Sequence, residues 1–325
     1  MNYFWVNHKQ TFRHEFEGSY IWSPKRKRNG AKNRFYDFLR EVVPGDVIFS
    51  YADGMVRGAG FARSYCYTCP RPEEFGHIGQ VWDVVGWRVD VDFQKFSNSP
   101  RPKAHLDVLR PLLDQEKFAP IQMNGNGLQH IYLTKISKPL AEVILGLAGR
   151  DAQIFAAAGL RLIDQPLVET ELSGQQEWED IEQTRILADE LSSTTRASLI
   201  RARIGQGLFK ERVAKVEKSC RVTFVDNPTH LIGSHIKPWR ESSNVERLHE
   251  ANGLLLTPTV DHLFDRGFIS FEDSGELIVS PVADRVSLNR MGINPAHPPR
   301  PTSFNVDQKF FLAHHRKEIF LAAAS

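Results

Sequence analysis

The chain has 325 residues, with 41 basic and 39 acidic side chains, a formal net charge of +2, 41% hydrophobic residues and 25% charged ones. That composition excludes collagen-like and disordered chains. Three cysteines exclude a disulfide framework and leave an all-cysteine zinc site one ligand short. The length predicts two domains or one large one. No apolar run reaches the ~20 residues of a membrane span, and MNYFWVNHKQ lacks the apolar core of a secretion signal, so a cytoplasmic protein with no membrane contact is expected.

The near-neutral total hides an uneven distribution. Residues 1–150 carry 21 basic and 15 acidic side chains, residues 151–195 carry 2 and 10, and residues 196–325 carry 18 and 14. Two positive blocks around an acidic one point to a polyanion for the ends.

In chain order, the first block reads as mainly β. Runs rich in Val, Ile, Phe, Tyr and Trp recur between turn signals: YFWV, SYIW, DVIFSY from Asp46, VWDVVGWRVDV from Val81 and HIYLT from His130. One helix is predicted over Asn33–Val42, where Phe35, Phe38, Leu39 and Val42 share a face before the Pro44-Gly45 stop. These spacings favour a small closed or nearly closed barrel. From Lys138 to about Lys218 the composition turns helical. Strands are then predicted at CRVTF and THLIGSHI, a helix from Thr257-Pro258 to Gly267, and a hairpin around Asp273–Gly275.

The chemistry-bearing residues follow His235. GSHIKPW places His235 at a strand end, NGLLL places Asn252 at the close of a polar loop, and Asp261, His262 and Asp265 ride a short helix. Asp261 and Asp265 share a face, with His262 about 100° round from Asp261. Residues 201–281, with SHIKPW, NGLLL and LFDRG in this order, resemble the HNH endonuclease family, in which a ββα unit holds one divalent metal. The resemblance implies that His235 is the general base, that Asn252 fixes the loop and orients the imidazole, and that Asp261 takes the metal-binding position with His262 as its neighbouring candidate. It also implies Mg²⁺ or Mn²⁺ and no structural zinc. Two departures stand out: Ser234 occupies a position where the family often has a second ligand, and no flanking CxxC pairs are present. Asp265 is read as ligating metal, pairing with Arg266 or capping the turn. Arg203 is read as a phosphate contact or plain helix surface.

The first ~150 residues carry a second resemblance. YFWVNHKQTF, YIWSP, PGDVIFSYADG, VWDVVGWRV and NGNGLQHIYLT are similar to the EVE and YTH branches of the PUA-like superfamily, small barrels that take one modified base into an aromatic cage. The likeness implies a pocket at Trp22 and Ser23, with Tyr36 and Trp82 as walls and Asn7, Asp46 and Asn124 as polar contacts. Asp46 is also read as shaping its turn, and Trp5 and Trp87 as barrel core. Lys25, Arg26, Lys27, Arg28, Lys32 and Arg34 form a basic cluster suited to phosphates flanking an extruded nucleotide, or to a solvated loop.

Together these readings predict an α+β chain: an N-terminal PUA-like (EVE/YTH-like) β-barrel reader at 1–150, a helical acidic linker at 151–198 and a C-terminal ββα-metal HNH nuclease domain at 199–325. The combination resembles EVE–HNH modification-dependent restriction endonucleases. It implies double-stranded DNA carrying 5-methylcytosine or 5-hydroxymethylcytosine as substrate, base flipping, and a homodimer. Two alternatives stay open: a non-catalytic binder with a degenerate HNH unit, and a reader of RNA bases.

Overall fold

Seven strands carry the N-terminal sequence among the residues described by the computed structural model, which are 1–79, 82–128, 130–162, 208–293 and 302–322. They are β1 (Tyr3–Asn7), β2 (Tyr20–Pro24), β3 (Val47–Ala52), β4 (Met55–Ala62), β5 (Tyr67–Pro70), β6 (Val85–Lys95) and β7 (Leu133–Ile136). One sheet runs β2-β6-β4-β3-β1-β7, with β5 also on β6. Only β1 and β3 pair in parallel. The long β6 carries the curl: its first half pairs with β2 and β5, and Val91–Lys95 then pairs with β4.

The sheet is therefore a curled half-barrel, where a closed or nearly closed barrel was expected. No ladder joins β2 to β7 among the described residues. A side-chain bridge spans them instead, in which the Trp22 N–H donates to the Tyr132 hydroxyl at 2.9 Å. The strand reading missed β4 and β5. In β4 the run Gly58-Ala59-Gly60 looks like a turn, yet it is a strand crossing β6 closely. A Cβ at Gly58 would collide with the backbone of Gln94 and the Phe16 ring.

Short helices α1 (Phe12–Glu17), α2 (Arg34–Asp37) and α3 (Gly76–Gly79) sit among the strands, followed by α4 (Leu106–Leu113), α5 (Lys138–Ala148) and α6 (Arg150–Leu162). The predicted 33–42 helix begins as expected, with the Asn33 side chain capping Phe35 N–H at 3.2 Å. It tightens after one turn into a 3₁₀ segment at Phe38–Glu41. Trp5, Phe49, Leu109, Leu113, Leu140, Ile144 and Phe155 form one apolar core between the sheet and α4–α6. Each such side chain stabilises the fold by about 1.5–3 kcal/mol on burial. Trp5 and Trp87 are both buried.

The C-terminal region contains α7 (Leu208–Val216), the antiparallel pair β8 (Ile232–His235) and β9 (Gly253–Leu256), α8 (Pro258–Asp265), the hairpin β10 (Ile269–Phe271) and β11 (Leu277–Val279), α9 (Arg285–Arg290) and α10 (Val306–Glu318). Pro258 opens α8 and Gly267 follows its end at φ 73°. CRVTF is a turn and not a strand, with Phe224 in the left-handed region at φ 59°. The unpredicted α10 closes this core with Phe311 and Leu312. The chain divides into two compact units, Met1–Gln175 with Ala323–Ser325, and Gln176–Ala322. Most of the expected 151–198 linker, and Arg203, lie outside the described residues. No helix among the described residues is long and apolar enough to cross a membrane.

Candidate catalytic site and N-terminal cavity

His235 ends β8 and is 8% exposed. Its ring stacks flat on Phe209 of α7, with centroids 3.9 Å apart, and meets Trp239 edge-on at 5.5 Å. The carbonyl oxygen of Arg247 lies 3.0 Å from Nε2. A carbonyl only accepts, so Nε2 carries the proton and Nδ1 is the ring's basic nitrogen. Burial lowers the His235 pKa to about 4, partly offset by that carbonyl, so the imidazole is neutral at pH 7.

Asn252 holds the loop that supplies the carbonyl. It is fully buried; its Oδ1 accepts from Lys237 N–H at 2.7 Å, and its Nδ2 donates to the carbonyls of Glu246 at 3.1 Å and Lys237 at 3.3 Å. The next carbonyl after Glu246 is the one that anchors His235. Every polar group of Asn252 is engaged by the loop it was expected to fix, the arrangement of a positioning residue. Arg247, also buried, donates to the Trp239 carbonyl at 3.0 Å and lies over the Trp239 ring, fixing the indole that walls the imidazole. Sequence reading missed Arg247 and Phe209. Phe209 lies inside the 201–281 stretch, but nothing local announces a stack across 26 residues.

On α8, Asp261 and His262 separate. Asp261 is half-buried with its pKa raised by desolvation, and the buried Ser234 hydroxyl beside it pulls the other way. That hydroxyl makes no well-formed hydrogen bond. His262 is exposed, and its pKa is lowered by desolvation and by Arg266. Asp265 is exposed as well. Among the described residues no three His, Cys, Asp or Glu side chains converge as a metal cluster.

In the N-terminal unit a cavity of roughly 810 Å³ brings together Asn7, Trp22, Ser23, Tyr36 and Trp82, five of the residues expected at the pocket. That volume is in the range of small-ligand sites. The Trp22 indole is 2% exposed and packs with Phe75 and Trp82. It lies so close over β6 that a Cβ at Gly86 would strike the ring. Tyr36 and Trp82 remain half-exposed.

Three expected polar contacts are corrected. Asn7 is consumed by the fold: its Oδ1 accepts from Trp5 Nε1 at 2.9 Å, and its Nδ2 donates to the carbonyls of Pro120 and Ile131. Asp46 is fully buried and binds the N–H groups of Asn2 and Val43. Asn124 is exposed, caps Asn126 N–H and does not line the cavity.

The structure supplies other polar groups. His8, Thr11 and Tyr132 line the cavity, with the buried Glu15 beneath them. Glu15 accepts from Trp22 N–H at 2.8 Å, from the Thr11 hydroxyl and from the Tyr132 hydroxyl. Desolvation pushes the Glu15 pKa up to about 8 and the His8 pKa down to about 3. Both groups are therefore neutral at pH 7. Sequence separations of up to 117 residues hid this cluster.

The basic cluster also divides. Lys27, Arg28 and Lys32 are exposed and Arg26 half-exposed, with Lys27 on the cavity wall. Lys25 is corrected as a phosphate contact, since it is 8% exposed with its ammonium 5.9 Å from the Trp87 ring centroid. Arg34 is half-buried and stacks on Phe118 at 4.4 Å. Cys66 and Cys69 are buried, and no disulfide joins them.

No curated protein matches the chain. Among solved structures, a protein from Pseudomonas putida is similar at 14% identity, covering 45% of this chain and 99% of that chain with a TM-score of 0.31. A protein from Pseudomonas syringae is similar at 13% identity, covering 45% and 99%, with a TM-score of 0.30. A hypothetical protein from Leishmania major is similar at 10% identity, covering 46% and 96%, with a TM-score of 0.31. Superposition at that level decides neither fold nor function. Residues 220–272, which span β8, the Asn252 loop, β9, α8 and β10, match the HNH endonuclease family.

Proposed function

We propose that the chain is a modification-dependent DNA endonuclease: the N-terminal cavity receives an extruded 5-methylcytosine or 5-hydroxymethylcytosine, and the HNH domain hydrolyses the phosphodiester. The observation that carries the hydrolytic half is the anchored, neutral His235, with Nε2 held by Arg247 and Nδ1 left as base. Nδ1 takes a proton from a water molecule as that water's oxygen attacks phosphorus. The positive charge then formed on the ring is stabilised by the Arg247 carbonyl. A phosphate arriving beside the ring favours the imidazolium and raises the basicity that burial has depressed.

Asp261 would hold a divalent cation. Its carboxylate is kept partly out of water, where a cation relieves the desolvation that raises its pKa, and the Ser234 hydroxyl beside it lacks a good partner. A hard oxygen set of this size suits Mg²⁺ or Mn²⁺, which retain water and accept phosphate oxygens. When bound, the metal would stabilise negative charge on the phosphate and on the leaving 3′ oxygen.

For the reader half, the support is the lining. Trp22, Tyr36, Trp82 and Tyr132 line a cavity with room for an extruded base, and Lys27 lies on its wall. Flipping costs a few kcal/mol, which an aromatic cage offsets for the base it prefers. One HNH site cuts one strand, so a double-strand break needs two protomers, and a C2 homodimer is part of the proposal.

A plasmid-nicking assay with Mg²⁺ or Mn²⁺ on cytosine, 5-methylcytosine and 5-hydroxymethylcytosine DNA tests the whole reading. Wild type should cut modified DNA selectively, and His235→Ala should lower the rate by about 10²–10⁴-fold. Equal cutting of plain DNA would refute the reader. A folded wild type that cuts nothing would refute the nuclease.

A further inference from the structure

Three residues on the cavity wall each carry a buried polar atom with no hydrogen-bond partner among the described residues: Nε2 of His8, Nε1 of Trp22 and Oγ of Ser23. Their residues are 1%, 2% and 1% exposed. An unsatisfied buried polar group costs about 1–3 kcal/mol, and three around one cavity call for a ligand that satisfies them. Asn7 and Asp46, two of the expected polar contacts, do not have this freedom, because their side chains are hydrogen-bonded within the fold.

The three atoms differ chemically. Indole Nε1–H only donates, and the Ser23 hydroxyl donates or accepts. His8 is the variable member. Its Nδ1 lies 2.9 Å from the Ser50 hydroxyl, a partner that itself can donate or accept. When Ser50 donates, Nε2 holds the proton; when Ser50 accepts, Nε2 carries a lone pair. The ring stays neutral either way, since burial depresses its basicity. Glu15 Oε2, at 3.9 Å from Nε2, is too far for a hydrogen bond and is occupied by Thr11. Phe12 and Phe93 wall the imidazole on its other sides, at centroid distances of 6.0 and 5.7 Å.

We propose that His8 is a specificity-determining residue of this cavity: its Nε2, together with Trp22 Nε1 and Ser23 Oγ, hydrogen-bonds the polar edge of a neutral, planar base, and Ser50 sets which tautomer His8 presents. The proposal deepens the base-reading function and rests on it.

The test measures binding of the full chain to 5-methylcytosine, 5-hydroxymethylcytosine and unmodified duplexes by fluorescence anisotropy, without metal. His8→Phe should cut the preference for modified over plain DNA by about tenfold. Ser50→Ala should keep the protein folded and shift the ratio of 5-hydroxymethylcytosine to 5-methylcytosine affinity several-fold, which a merely structural role would not do. Should His8→Phe not fold, His8→Asn carries the same expectation. Unchanged preferences in folded variants would overturn the role of His8 while leaving the reader intact. A wild type with no preference at all would overturn the reader itself.

Discussion

His8 and His235 sit in different units, are almost equally hidden from water, and are both neutral at pH 7 because burial depresses their basicity. They differ in what holds the ring. His235 is anchored by a backbone carbonyl, which only accepts, so its tautomer is fixed and Nδ1 is always the base. His8 is anchored by the Ser50 hydroxyl, which works in either direction, so its free nitrogen can donate or accept. A third ring, His315 on α10, has both nitrogens engaged, by the Ser270 hydroxyl and the Phe264 carbonyl, each at 2.9 Å, and serves structure alone. Burial makes a histidine neutral, while the chemistry of its partner decides whether its other nitrogen is a fixed acceptor, a variable one or fully engaged.

The sharpest way to break this contrast is to remove each anchor. Asn252→Ala strips partners from the Lys237 N–H and from the Glu246 and Lys237 carbonyls, so a stability loss of at least about 3 kcal/mol is expected. Nicking should fall with it, because the Arg247 carbonyl loses its place. Thermal unfolding and a nicking assay on the same sample check both, and a stable, active variant would mean that the loop holds itself. The Ser50→Ala change should cost far less stability, since one hydroxyl anchors one ring.

A second comparison uses pH. The pKa values of His8, His235 and His315 are lowered to about 3, 4 and 3, so the unfolded chain takes up their protons first. Their contribution to stability is full above the unfolded value near 6.5. It is lost as pH falls toward 3–4, by up to about 1.4 kcal/mol per pH unit for each ring. Glu15 runs the other way: with its pKa raised to about 8, its contribution is full below about 4.5 and lost as pH rises through 8. Both units should therefore weaken in acid; in the N-terminal unit the His8 and Glu15 slopes offset between about pH 4.5 and 6.5, and stability should fall from about pH 6.5 to 8. Unfolding scans of Glu15→Gln should lack that second slope; an unchanged slope would place its source elsewhere.

The smallest expected effect concerns the basic cluster. Charge removal at the exposed Lys27, Arg28 and Lys32 should flatten the salt dependence of DNA binding, by up to about 0.9 in log–log slope for each phosphate deprived of its cation. Lys25→Gln should leave the slope alone and change only stability, because Lys25 is packed near Trp87. A slope change from Lys25→Gln would restore it to the binding surface.

The strand end at His235, the Asn252 loop and the α8 start at Thr257-Pro258 were all legible, because strand alternation, Pro at the first helical position and Gly after the last are local rules. The five cavity residues were found by motif, yet the reading misjudged which of their polar atoms were available. Asn7 looks like a reader in sequence and is a brace in space, since its partners at Pro120 and Ile131 are more than 110 residues away. The half-barrel, the glycine-rich β4 and helix α10 were hidden for the same reason.

By itself, the sequence determined that this chain has a β-rich basic N-terminal block and a C-terminal block with an HNH-type order of His, Asn and Asp, because residue type and spacing set local geometry. Tertiary structure decided which nitrogen of His235 is the base, which of Asp261 and His262 faces Ser234, and which cavity atoms lack partners. Those properties depend on burial and on hydrogen bonds between residues far apart in the chain, and no local pattern encodes them.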